Sequence, residues 1–135
     1  MKKTITVDAI CDNLHVVQES LAPVLLDLPF SAGVRMDLEI AVEEVFLNVS
    51  SYAYAPGKGQ VTVEAETDEQ GIMITFKDSG TPFNPLETAE PDVNASWQDR
   101  RIGGLGLFMV KQRMDSIEYE YRDACNILRI RKSVA

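Results

Sequence analysis

Glu44 and Asn48 stand one helical turn apart in Glu44-Val45-Phe46-Leu47-Asn48, so on a helix both point to the same side. A carboxylate and an amide oxygen placed this way can hold a hydrated Mg²⁺, a hard cation that keeps several waters. Asp78-Ser79-Gly80-Thr81-Pro82 puts an acid at a strand end, followed by a turn. Gly103-Gly104-Leu105-Gly106 opens a helix, where backbone N–H groups and the helix dipole favour phosphate. Each segment alone has an ordinary structural reading. Glu43 and Glu44 on a helix are usually solvated, and at most one of two adjacent positions enters a pocket. Asp-Ser-Gly occurs as a plain turn, and paired glycines occur as a hinge. All three in this order read together as a nucleotide pocket.

Such side chains converge only if the elements between them fold back on one another. Lys2 to Ala9 alternates polar and apolar residues, the pattern of a half-buried strand. From Asn13 to Leu28, the residues Leu14, Val17, Leu21, Val24, Leu25 and Leu28 recur at helical spacing, with Asp12 as N-cap and Pro29 as a stop. Ser31 caps a second helix, whose stripe of Val34, Leu38, Ala41, Val42 and Val45 runs into Asn48. Pro56-Gly57-Lys58-Gly59 then breaks the chain. Residues 61–67 and 72–77 flank Asp68-Glu69-Gln70-Gly71 as a hairpin. Between Thr81 and Ile102 lie Pro82, Pro85 and Pro91 with no sustained period, which reads as a functional lid or a disordered segment. A short helix with Leu107, Phe108, Val110, Lys111 and Met114 follows, then strands at 117–121 and 126–131 joined by Arg122-Asp123-Ala124-Cys125. The order predicts one domain over residues 1–135, an α+β two-layer sandwich. Its sheet is mixed and mainly antiparallel, with helices on one face.

Bulk properties narrow the function further. A formal net charge of −8 argues against a nucleic-acid surface, which demands clustered Lys and Arg. Arg100, Arg101, Lys111 and Arg113 nevertheless gather around the glycine cluster, the local reversal of sign that an acidic protein needs to hold a polyanion. No run approaches a membrane span, and Thr4, Thr6 and Asp8 interrupt any signal-peptide core after Met1-Lys2-Lys3. Cys11 and Cys125 form no CxxC, are expected as buried hydrophobes, and point to a reducing, cytoplasmic setting. Gly57-Lys58 lacks the upstream glycine and the following hydroxyl of a P-loop, and Met109 stands where the dinucleotide fingerprint needs a third glycine or alanine. His15, without an orienting partner, reads as a surface or core-edge residue.

Glu44-x-x-x-Asn48 with Tyr52-Ala53-Tyr54 downstream resembles the N box of the GHKL ATPases, whose nucleotide-binding core is called the Bergerat fold. Residues 77–85, Lys-Asp-Ser-Gly-Thr-Pro-Phe-Asn-Pro, look like their first glycine box, and residues 101–115, from Arg101 to Asp115, like their second. Asn126-Ile127-Leu128-Arg129-Ile130 is similar to the terminal strand. The resemblance spans almost the whole chain and is closest to small stand-alone anti-sigma factor serine/threonine kinases. It implies ATP as nucleotide, with Asn48 ligating Mg²⁺ and Asp78 accepting from the adenine amino group while Gly80 leaves room for the base. Gly103, Gly104 and Gly106 would let a lid at about 82–104 wrap the phosphates, with Arg101, Leu105 and Leu107 among the nucleotide contacts. Glu44 would act as base toward a hydroxyl or water. Two departures from the family stand out: Tyr52 where many kinase members carry His, and acidic Glu87, Glu90 and Asp92 in the first half of the lid.

The activity implied is a protein serine/threonine kinase of partner-switching type. It would phosphorylate a Ser or Thr on a small anti-anti-sigma-like antagonist and bind a sigma factor or another effector. A non-catalytic regulator, in which ATP only tunes protein affinity, is the alternative. A detached histidine-kinase domain is disfavoured, because no phosphoacceptor helix accompanies it. The exposed pattern at Lys2–Ala9 also allows edge pairing into a homodimer.

Overall fold

The computed structural model describes residues 1–53, 58–87 and 104–134, with backbone only for Tyr52, Glu87 and residues 104–108. Among the described residues five strands make one sheet: β1 (Lys2–Asp8), β2 (Gln60–Thr67), β3 (Gly71–Asp78), β4 (Ser116–Arg122) and β5 (Cys125–Ser133). Their spatial order is β1-β2-β3-β5-β4, and every pairing is antiparallel. The sequence predicts a mixed, mainly antiparallel sheet; among the described residues it is antiparallel throughout. Among the described residues three helices accompany the sheet, α1 (Leu14–Leu25), α2 (Ala32–Tyr52) and α3 (Gly104–Arg113).

Strand side chains alternate between faces, so the register sorts them into an inner and an outer layer. One inner row runs Val63, Phe76, Leu128, Tyr119 and the next runs Ala65, Ile74, Ile130, Ile117. Against these pack Val17, Leu21 and Val24 of α1 and Leu38, Val42, Val45 and Phe46 of α2, all nearly or fully buried. The helical stripes read from the sequence are therefore the core-facing ones. The opposite face of the sheet carries ion pairs between exposed or half-buried partners, Lys2 with Glu64 at 3.2 Å and Arg129 with Glu120 at 3.2 Å.

Local chemistry sets most element ends. Ser31 sits at the N-cap of α2, its hydroxyl oxygen accepting from the Val34 N–H at 3.2 Å, as expected. Asp12 does not cap α1. A 3₁₀ turn at Cys11–Asn13 intervenes, and Asn13 occupies the N-cap with its side-chain amide donating back to the Asp8 carbonyl at 2.9 Å. Helix α1 stops at Leu25, short of Leu28, two residues after Pro23, whose ring removes a backbone donor inside the helix. In the β2–β3 turn Asp68 Oδ1 accepts from the N–H groups of Gln70 and Gly71 at 2.7 and 3.0 Å. The β4–β5 turn places Asp123 and Ala124 at φ 54° and 61°, the pair of left-handed positions that a tight hairpin of this kind requires. The cysteines depart from the buried expectation: Cys11 is exposed and Cys125 half-buried, both as free thiols. Each lies at an element end, Cys11 opening the 3₁₀ turn and Cys125 opening β5, where little packs over a side chain.

Candidate functional site

The last turns of α2 lie beside the end of β3 and share a pocket with residues of β3 and β5. The end of α2 is tied to β3 through Ala53, whose carbonyl accepts from the Thr81 N–H at 2.7 Å. Gly80 makes that approach feasible, because a Cβ there would lie 2.1 Å from the Ala53 oxygen and 2.5 Å from its carbonyl carbon. The space that this glycine leaves is therefore occupied by the end of α2.

Beside this junction opens a small pocket. Asn48 and Val49 of α2 line it, with Phe76 and Asp78 of β3, Phe83 of the following segment, Tyr119 of β4, and Asn126 and Leu128 of β5. Apolar walls with a few converging polar groups are the usual make-up of a small-molecule site. Asn48, Asp78 and Asn126 are 8%, 6% and 6% exposed, so each polar head is almost wholly withdrawn from water. Burial of a polar group without a partner is costly, which makes the hydrogen bonds here informative.

Asp78 and Asn126 are register partners on adjacent strands. Asp78 Oδ1 accepts from the Gly80 N–H at 2.9 Å and from Asn126 Nδ2 at 2.9 Å. Asn126 Nδ2 also donates to the Thr81 carbonyl at 2.9 Å, while Asn126 Oδ1 accepts from the Phe83 N–H at 3.1 Å and from the Tyr119 hydroxyl. Among the described residues, Asp78 Oδ2 and the Asn48 carboxamide have no protein partner. Two buried polar groups thus line one cavity with hydrogen-bonding capacity to spare, as a site for a polar ligand requires.

Glu44 is half-buried one turn before Asn48 on α2, yet it is not part of the pocket lining. Burial, and secondarily the charge of Glu43 beside it, raise the Glu44 carboxyl above its ordinary value. Gly104 is the first residue of α3 and Gly106 lies within its first turn, so the helix begins at the glycines rather than after them. First-turn N–H groups have no intrahelical partner and so remain free to donate to a ligand. Arg101, Gly103 and most of the lid lie outside the described residues, as do Tyr54 and Trp97; Leu105 and Leu107 are described by their backbone alone. His15 is exposed, as expected.

Of the residues picked out by type and spacing, the structure joins Asn48 and Asp78 in one cavity, with Gly80 adjoining. Sequence reasoning placed Asn126 only in the terminal strand and missed its part in the pocket. The signal was its phase: Asn126 shares the inward-facing alternation with Leu128 and Ile130, where an apolar residue belongs.

A family model described as histidine kinase-like ATPase domain matches residues 7–132. The serine-protein kinase RsbW of Listeria monocytogenes is 32% identical over 115 residues, which is 81% of this chain and 73% of the relative. The serine/threonine-protein kinase BtrW of Bordetella bronchiseptica is 26% identical over 100 residues, 73% of this chain and 70% of that protein. RsbW of Bacillus mycoides is 23% identical over 126 residues, covering 90% and 79%. These matches agree with the three boxes and with the helix-on-sheet architecture that brings two of them together: the chain belongs to the histidine kinase-like ATPase domain family and resembles serine-protein kinases of GHKL type.

Proposed function

We propose that this protein binds ATP in the Asn48–Asp78 pocket and transfers its γ-phosphoryl group to a serine or threonine of a small partner protein. The observation that carries the reading is that Asn48 on α2 and Asp78 Oδ2 on β3, both on buried residues and without a partner among the described residues, line one largely apolar pocket. Asp78 Oδ2 suits the amino group of adenine, because a carboxylate oxygen accepts a donor and repels a carbonyl placed there. Asn48 would hold Mg²⁺ through a neutral, hard oxygen, and the cation would supply positive charge to offset the negative charge that develops during transfer. Asn48 would share the cation with phosphates and water, since Mg²⁺ usually keeps several waters and binds few protein ligands. Arg101, Gly103, Gly104, Leu105, Gly106 and Leu107 would supply the phosphate cradle. Glu44 would take the hydroxyl proton as the acceptor oxygen bonds to phosphorus and ADP leaves; its raised carboxyl suits it to that exchange.

The partner reading is of an anti-sigma type: the chain would hold a sigma factor or another effector and lose that grip to an antagonist it phosphorylates, in the cytoplasm, with pairing through β1 giving a homodimer. The position of Glu44 outside the pocket lining supports a second reading, a regulator in which ATP tunes protein binding without transfer. One assay separates them. Incubated with γ-labelled ATP and the small protein that co-purifies with the chain, wild type should label a Ser or Thr of that protein. Glu44→Ala should bind ATP yet lose at least a hundredfold in labelling rate. Labelling at the parental rate by Glu44→Ala removes Glu44 as the base, and ATP binding with no labelling by wild type selects the second reading.

A further inference from the structure

The Asn126 carboxamide uses its full hydrogen-bonding capacity inside the protein. An amide has two N–H donors and two acceptor lone pairs. The donors go to Asp78 Oδ1 and the Thr81 carbonyl, each at 2.9 Å, with the Gly80 carbonyl a longer neighbour at 3.4 Å. The lone pairs take the Phe83 N–H and the Tyr119 hydroxyl. Nothing is left over for a ligand, although Asn126 lines the pocket and is 6% exposed. Its effect on a ligand must therefore pass through the groups it holds.

The first of those is Asp78. With the Gly80 N–H and Asn126 Nδ2 both on Oδ1, the carboxylate is fixed in rotation and presents Oδ2 as its one uncommitted oxygen among the described residues. The second is the wall made by Thr81 and Phe83, which leads from β3 toward the lid and which the same amide anchors from both of its ends. We propose that Asn126 is a positioning residue that sets the base selectivity of the pocket, by locking Asp78 so that only a 6-amino purine satisfies Oδ2. A 6-oxo purine would set a carbonyl against that oxygen. Were the lock removed, the carboxylate could turn and a water could donate to both oxygens, so the pocket would tolerate either base.

The inference rests on the ATP reading, and the test keeps the two apart. The full chain is titrated with Mg-ATP and with Mg-ITP, which carries the same triphosphate and differs at position 6 of the purine. Wild type should favour ATP by at least tenfold. Asn126→Ala should bring that ratio below about threefold, and Asn126→Thr, which restores one hydroxyl donor beside Asp78, should keep an intermediate ratio. A purely structural Asn126 would weaken both nucleotides by the same factor; that result, or an unchanged ratio in both variants, overturns the proposal. Should Asn126→Ala fail to fold, the ratio in Asn126→Thr decides, and a wild-type ratio there refutes it. A wild-type chain that binds neither nucleotide overturns the ATP reading, and the inference with it.

Discussion

Asn48 and Asp78 were legible because they stand in two of three segments whose set and order read as a nucleotide pocket, although each segment alone has an ordinary reading. An amide on the apolar stripe of a helix and an acid at a strand end both stand out against hydrophobic neighbours, and both prove almost fully buried around one cavity. Asn126 was harder to see, since its role depends on register across β3 and β5, a long-range relation that no local window contains. Glu44 is the residue whose titration bears on both stability and activity. Its carboxyl is raised by burial and by Glu43, so in the folded state the charged form is penalised. The penalty is absent below the ordinary glutamate range, where the group is protonated folded or unfolded, and is fully present once pH exceeds the raised value. Glu44→Gln should therefore increase the melting temperature at pH 7 and leave it near the parental value at pH 4. Thermal unfolding across that range checks this, and an equal shift at both pH values contradicts the burial account. With Glu44 as the proposed base, phosphotransfer should likewise decline as pH falls through the raised value, because the base form is lost.

At the scale of elements, the site depends on two backbone junctions. The first joins the end of α2 to β3, where Gly80 lets Thr81 reach the Ala53 carbonyl. Gly80→Ala forces a Cβ into that carbonyl and should destabilise the fold by about 1–3 kcal/mol, the usual range for overpacking, measured as a lower midpoint in denaturant unfolding. The second is the β4–β5 turn that places Tyr119 and Asn126 on facing strands. Ala124 holds φ 61° there, which costs an L-residue roughly 1–2 kcal/mol and glycine much less. Ala124→Gly should therefore stabilise the protein by about 0.5–1 kcal/mol once the extra freedom of the unfolded chain is deducted, and a lower melting temperature would contradict this. Sequence reasoning located this turn but not its strain, because Asp-Ala lacks the Asn-Gly signature of left-handed pairs. It also misplaced the start of α1, where Asn13 rather than Asp12 sits at the cap and turns its side chain back to Asp8.

Across the whole molecule, alternation in the strands and 3.6-residue stripes in the helices were enough to foresee one sheet covered by helices on one face. Those patterns follow from burial, and burial made both layers: Phe46, Phe76, Leu21 and Ile74 are all fully or almost fully enclosed between them. Strand order was not legible, since β5 inserts between β3 and β4 and only the tertiary fold reveals it. That insertion is what sets Asn126 beside Asp78 and closes the pocket beneath α2. Among the described residues no helix is long and apolar enough to cross a membrane, in keeping with a 21-residue α2 that carries five acidic or basic side chains before Val45. On the proposed reading α2 and β3 jointly form one nucleotide site, and calorimetric titration of Mg-ATP into the full chain and into Asn48→Ala tests it. Wild type should take up one ATP per chain, and Asn48→Ala, with unchanged circular dichroism, should lose at least tenfold in affinity, about 1.4 kcal/mol. An Asn48→Ala variant that binds Mg-ATP as tightly as wild type, or a wild type that takes up none, would contradict it.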